Sequence, residues 1–321
     1  MISILSSPKR FTGLVGENQD HALRSWRRLH PEAEVVLYGN SPGVAEASAR
    51  HDARHVPDIE CSKSGVPLFN AIADHARLHA RHNLQMYLNA DILLPPETLV
   101  SIAPVLESRF LIVGQRIDLE EGWRYDLAVP DWAAELRRLD NLGKAKLHPV
   151  SGIDYFIFPR GLWTGLQPLI IGRAGYDSAL VAFCLRRRIP VVDATHDLRV
   201  LHQDHGYSDV PGHKREVHHG TDARFNLTSH DIVHSGPNTA DADLQLQGGC
   251  LLPIKCRSNH LRALEVTLRY RLRQKYLSYL VRVVSRGLSR FHFLPSREIS
   301  LAELLASSTR TGGPSPSHKN T

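Results

Sequence analysis

The sequence predicts an α/β protein, an open sheet flanked by helices, with a basic amphipathic helix toward its C-terminus. Three observations lead there. Short apolar runs alternate with amphipathic stretches through the first hundred residues, the rhythm of strands joined by crossover helices. The polar clusters Ser6-Ser7-Pro8, Gly39-Asn40 and Asn89-Ala90-Asp91 each follow an apolar run, so they would meet at one rim, where open α/β sheets bind ligands. Finally, Leu261, Leu264, Leu268, Leu272, Tyr276, Leu280 and Val283 recur at helical spacing among many Lys and Arg.

Taken in order, Ile2 to Leu5 reads as a strand, and Asn18 to His30, with Ala22, Leu23, Trp26 and Leu29 on one side, as a helix that Pro31 follows. Glu34 to Tyr38 is a second strand, Ala45 to His51 a short helix, and His55-Val56 the start of a brief edge strand. Pro67 to His82 carries Leu68, Ile72 and Ala76 on one face and reads as a helix; Leu84 to Leu88 is a strand running straight into Asn89-Ala90-Asp91. Pro96 to Leu106 is expected to be helical, Phe110 to Gly114 and Tyr155 to Phe158 extended, Asp177 to Arg187 helical, and Ile189 to Val192 a strand closed by Asp193. The segment from Gly206 to Gly249, rich in His, Gly, Asp, Asn and Ser with little periodicity, reads as a long surface loop or lid. The expected organisation is an α/β domain over 1–207, a loop or lid over 208–250, a basic helical segment over 251–306 with its helix from Ser258 to about Val284, and a disordered tail over 307–321.

Composition narrows the classes. With 321 residues, 42% hydrophobic and 22% charged, the chain can bury a core and is too balanced for a disordered or collagen-like polymer. Four Cys without paired zinc-ribbon spacing argue against a disulfide scaffold and fit a reducing compartment. The four apolar residues Ile2 to Leu5 are too few for a signal-peptide core, and no apolar run reaches membrane-spanning length. A cytoplasmic protein is therefore expected. The net charge of +6 is unevenly spread: residues 255–290 hold ten Lys and Arg against one acid, Glu265, and without them 29 basic face 32 acidic residues. The body thus gives no reason to expect nucleic acid, while the basic segment would suit the anionic inner face of a membrane or, equally, a helix packed on the body with a solvated basic face.

Residues i and i+2 of an extended chain share a face, so Asn89 and Asp91 can point together at a cation or a ribose. Hard divalent ions take such oxygen donors, usually one or two carboxylates plus substrate phosphates; an Asx turn is the plainer account. His202 and His205, beside Asp204 and after an apolar stretch, could bind a metal or a diphosphate, although with 19 His in the chain neighbours arise by chance. Asp154 just before a strand and Asp177 at a helix start could each serve as a general base; for Asp177 the ordinary role is an N-cap.

Together these segments resemble a nucleotide-sugar-dependent glycosyltransferase of the GT-A fold, over about residues 1 to 207. The resemblance rests on the order of Ser6-Ser7-Pro8-Lys9, Gln19, Ser25-Trp26, Leu37-Tyr38-Gly39-Asn40, Ser64-Gly65-Val66-Pro67-Leu68, Tyr87 to Leu94, Gly114-Gln115-Arg116-Ile117-Asp118, Ser151 to Phe158, Gly175-Tyr176-Asp177 and Leu201 to Tyr207. It implies a Rossmann-like open mixed sheet and transfer of a sugar from a nucleoside diphosphate sugar to the hydroxyl of a glycan, glycolipid or small-molecule acceptor. It also implies a Mn2+ or Mg2+ cofactor at an Asp-x-Asp motif, whose first acid is here Asn89 and whose second is Asp91. His202 or His205 matches the family's late metal-binding His, and Asp177, with Asp154 as second choice, the base of an inverting member. By position, Ser6, Pro8, Tyr38 and Gly39 would line the nucleobase pocket, and Lys63, Gly65 and Arg116 would approach the donor. A sugar nucleotidyltransferase ranks lower, because Ser6-Ser7-Pro8-Lys9-Arg10 lacks the glycines of a phosphate loop. A noncatalytic sugar or membrane-surface binder is the remaining alternative.

Overall fold

The computed structural model describes residues 1–321 except 106–108, 122, 124, 130, 205–212, 234–235, 255–259, 291–298 and 309–321. In chain order its strands are β1 (Ile2–Ser6), β2 (Glu34–Tyr38), β3 (Arg54–Val56), β4 (Leu84–Leu88), β5 (Ile92–Leu93), β6 (Leu111–Val113), β7 (Ile117–Leu119), β8 (Ala145–Leu147), β9 (Tyr155–Pro159), β10 (Val191–Asp193), β11 (Leu201–Gln203), β12 (Leu244–Gln247) and β13 (Cys250–Pro253). The helices are α1 (Gly13–Arg27), α2 (Val44–Arg50), α3 (Phe69–His79), α4 (Thr98–Ile102), α5 (Trp132–Asn141), α6 (Tyr176–Arg186), α7 (His213–His219), α8 (Thr221–Ser229), α9 (His260–Val266), α10 (Lys275–Arg290) and α11 (Leu301–Ser308).

Among the described residues, nine strands form one mixed sheet in the order β13, β12, β10, β6, β9, β4, β1, β2, β3, and β5, β11, β7, β8 form a second, smaller one. This is the open mixed sheet flanked by helices that the sequence predicts. β4, β1, β2 and β3 run parallel, and β9 is antiparallel to both β4 and β6. Both faces of the large sheet are covered, which is why its central strands are apolar on both sides apart from the buried Ser3, Ser6 and Gln85. Successive side chains alternate between two cores: Ile2, Ile4, Val35, Leu37, Met86 and Leu88 pack on one side, Leu5, Val36, Tyr38 and Tyr87 on the other.

β2 and β4 match the expected bounds, and α2, α3, α6, β6, β9 and β10 fall within a few residues of theirs. α1 begins at Gly13, ahead of the expected Asn18, because Val15 and Gly16 also lie buried on its inner face. The expected helix from Pro96 to Leu106 is shorter, α4 followed by a 3-10 turn over Ala103–Val105.

Two larger readings need correction. The stretch 206–249, expected to be a loop or lid, contains over its described part α7, α8 and β12, and β12 pairs in parallel with β10 of the large sheet. The sheet therefore extends beyond residue 207, the expected domain boundary. The C-terminal helix is not continuous either: α9 passes through a π-helical turn at Thr267–Arg271, and Arg273 takes φ 57° before α10 starts. Its expected first residue, Ser258, lies outside the described residues. A helix beyond it, α11, buries Leu301, Leu304 and Leu305 in the core beside α5, and it reaches Ser308, inside the stretch expected to be a disordered tail.

Candidate active site

At the carboxyl end of β4 the chain passes through Asn89-Ala90-Asp91 into β5, and so crosses from the large sheet to the small one. The Trp26 indole of α1 fixes the crossing by donating to the Ile92 carbonyl at 2.8 Å. Gln203 on β11 adds to it, donating through its side chain to the Asp91 carbonyl at 3.1 Å and to the Asn18 carbonyl at 2.9 Å. β11 runs antiparallel to β5 and parallel to β7, so His202 stands in register with both Ile92 and Asp118.

These elements assemble a charged cluster. Asn89 donates its side-chain amide to Asp154 Oδ1 at 2.9 Å, and its backbone N–H to the Asp154 carbonyl at 3.1 Å. Arg116 Nε donates to Asp118 Oδ1 at 2.7 Å while its Nη1 pairs with Asp154 Oδ2. His148 Nδ1 lies 2.6 Å from Asp118 Oδ2 and His202 Nδ1 lies 3.2 Å from Asp118 Oδ1. His202 Nε2 faces Asp91 Oδ2 at 3.8 Å, wider than a hydrogen bond. Gly152 allows the close approach of His148, whose Cδ2 would lie 2.1 Å from a Cβ there.

Electrostatics follow from the contacts. Burial alone would raise the Asp118 carboxyl, but the His148 and His202 imidazoles beside it and the Arg116 charge hold it well below the usual carboxylate range. For His202 burial works downward, and the Asp91 and Asp118 carboxylates overcome it and raise the imidazole above its ordinary value. Asp177 is the second residue of α6 rather than its cap, which is Gly175 at φ 83°. Enclosure raises its carboxyl to about 6, against the backbone N–H of Ser178 and with Asp154 adding to the rise.

Of the residues expected from the sequence, the structure brings together Asn89, Asp91, Arg116, Asp154 and His202. Ser6 and Tyr38 are fully buried: the Ser6 hydroxyl donates to the Leu88 carbonyl at 2.7 Å, and the Tyr38 hydroxyl lies 3.2 Å from His75 Nδ1. Pro8 is buried after β1, and Gly39, at φ 91°, turns the chain after β2 and donates to the Val56 carbonyl at 2.9 Å. Lys63 and Gly65 are exposed in the loop between β3 and α3, which Ser64 ties to Asp222 of α8. His205 lies outside the described residues. Asp118 and His148 were not among the expected site residues. For Asp118 a signal exists, since Arg116 and Asp118 repeat the i, i+2 pattern of Asn89 and Asp91; His148 has none.

The side chains here that could hold a cation are a carboxylate and an imidazole, Asp91 and His202, with a second carboxylate, Asp118, beside the ring. Such donors suit manganese, zinc or iron, and with phosphate oxygens also magnesium. Among the described residues no three His, Cys, Asp or Glu side chains are grouped as a complete metal-binding set.

Fold and cluster define an α/β protein with a charged site at the carboxyl edge of its parallel strands. Among solved structures it is similar to glucosyl-3-phosphoglycerate synthase from Mycobacterium tuberculosis in complex with Mn2+, uridine diphosphate and phosphoglyceric acid, at 16% identity, covering 73% of this chain and 80% of that one with a TM-score of 0.42. Another structure of the M. tuberculosis synthase matches at 15% identity, covering 79% of this chain and 90% of that one with a TM-score of 0.43. A mycobacterial protein matches at 16% identity over 73% and 76%, with a TM-score of 0.44. No family model matches the chain, and no curated protein matches its sequence.

Proposed function

We propose that this protein transfers a sugar from a nucleoside diphosphate sugar to an acceptor hydroxyl, aided by Mn2+ or Mg2+. The observation that carries the reading is Asp91, at the end of a central parallel strand, facing His202 across the two sheets with Asp118 behind it. A site so placed suits a nucleotide, because open α/β sheets bind ligands at the carboxyl ends of their strands. Asp91 and His202 are the residues that would hold the cation, whose charge would offset that of the departing diphosphate.

In the reaction the acceptor oxygen forms a bond to the anomeric carbon as the bond from that carbon to the phosphate oxygen breaks. The electron pair leaves with the nucleoside diphosphate, and the acceptor proton passes to the Asp177 carboxylate. With its carboxyl raised to about 6, Asp177 is ionised at neutral pH and still basic enough to accept that proton. Asp154 fits a positioning role better, since Arg116 and Asn89 occupy its two oxygens.

Thermal-shift measurements against uridine, guanosine, cytidine and thymidine diphosphates and their sugars, with and without manganese, test the reading. A manganese-dependent rise with one nucleotide is expected. Asp91→Ala should abolish that rise, whereas Asp177→Asn should keep it and stop transfer. Equal donor affinity in wild type and Asp91→Ala would remove Asp91 from the role.

A further inference from the structure

α10 is packed inside out. Its inward side is polar: Ser278 is 0% exposed, and Arg282 lies against α9 with its Nε donating to Glu265 Oε1 at 2.7 Å. Its outward side is apolar and aromatic, with Tyr276 89%, Leu280 59% and Val283 51% exposed, and Leu277, Tyr279 and Val284 exposed beside them. At 100° per residue these six fall on one face, opposite Ser278 and Arg282. α9 and the turn after it are firmly held, since Val266 and Tyr270 are buried in the core and Arg186 stacks over the Tyr270 ring at 5.1 Å. The helix is thus mounted on a rigid base with its apolar face turned to solvent, and an apolar face left in water marks an interaction surface.

The charge around this face selects its occupant. No acid occurs between Glu265 and Glu298, and at the start of α10 Arg273 is exposed, as is Lys275, which pairs with Asp231 Oδ2 at 3.1 Å. Two copies pairing through the face would bring these cations together, whereas an anionic lipid surface complements them. Tyrosines and basic residues bordering an apolar stripe are the side chains that settle at a lipid–water interface. Among the described residues no helix is long and apolar enough to cross a membrane, so the contact would lie along the surface.

We propose that the outward face of α10 docks this protein onto an anionic membrane, with Tyr276, Leu277, Tyr279, Leu280, Val283 and Val284 entering the interface. The proposal rests on the packing of α10 and stands independently of the sugar-transfer reading.

Cosedimentation of the full chain with vesicles of phosphatidylcholine alone, or with about one third phosphatidylserine, at low and high salt, tests it. Binding to the anionic vesicles is expected, weaker to neutral ones, and falling several-fold at high salt. The double substitution Leu280→Glu and Val283→Glu should cut the bound fraction about tenfold or more, because two charges are forced into the apolar layer. These side chains are exposed, so the melting temperature should be unchanged. Leu78→Glu, exposed on α3, adds a charge elsewhere and should bind like the wild type. Failure of the wild type to bind anionic vesicles overturns the proposal, as does unchanged binding of the double variant. Dimerisation in sedimentation velocity that the double variant abolishes, without vesicle binding, would assign the face to a second copy and also overturn it.

Discussion

One carboxylate, Asp118, takes contacts from Arg116 and His148 and lies 3.2 Å from Nδ1 of His202, whose Nε2 is turned toward Asp91. A carboxylate behind a metal-binding imidazole commonly governs affinity, so Asp118→Asn should weaken manganese binding by roughly 10–100-fold. A manganese titration of the nucleotide thermal shift measures it; an unchanged midpoint would deny Asp118 this part. Asp177 makes a pH-dependent prediction. In the proposed role of base it would work ionised, so transfer should fall as pH drops through about 6. Its carboxyl is raised in the fold from 3.8, so the stability it contributes is complete below about 3.8 and is lost as pH rises through about 6. Asp177→Asn should therefore be more stable than wild type near neutrality, by roughly 1–3 kcal/mol, with the gap closing toward pH 4 in urea melts. Asn89 and Asp91 could be found from the sequence because they end an apolar strand on one face. Asp118 sits in a three-residue strand and His148 follows another, so neither has a flanking apolar pattern to single it out from the other acids and histidines.

Strand length decides which elements the sequence reveals. β2 and β4 are five residues long and mostly apolar, with one buried polar residue each, Glu34 and Gln85, whereas β7, β8 and β11 have three residues each with a polar one at the centre. The small sheet, and with it half of the site, therefore escapes a reading based on apolar runs. α5 could have been read, since Trp132, Leu136 and Leu139 recur at helical spacing and are its buried face. The break between α9 and α10 could not, because Leu268, Leu272 and Tyr276 keep that spacing across the turn at Arg273. At the start of α6, Gly175 has φ 83°, and a Cβ there would lie 2.8 Å from Leu227 Cδ2. Gly175→Ala should cost about 1–3 kcal/mol in urea denaturation, from the left-handed backbone and the displaced leucine of α8 together.

Across the whole molecule, the basic C-terminal segment is tied to the acidic body by specific pairs. Arg262 donates to Asp241 Oδ2 at 2.7 Å, Arg269 to Asp231 Oδ1 at 2.7 Å, and Arg271 pairs with Asp243. Asp241 is buried, so Arg262→Ala should destabilise the protein by roughly 2–4 kcal/mol through the charge left without its partner. Asp241→Asn in the same chain should recover part of that loss, and urea denaturation of the single and double variants measures both. The sequence exposes the charge imbalance and leaves its destination open, because the acids that meet it come from 231–243, a stretch with no periodicity. The passage of the chain from β4 to β5 has a consequence for how this protein can vary. Only three residues separate the last strand residue of one sheet from the first of the other, and Trp26 and Gln203 grip the crossing from two further elements. An inserted residue between Leu88 and Ile92 would slide β5 by one position against β11 and turn Asp91 away from His202. Length changes in this protein should therefore be excluded from the crossing.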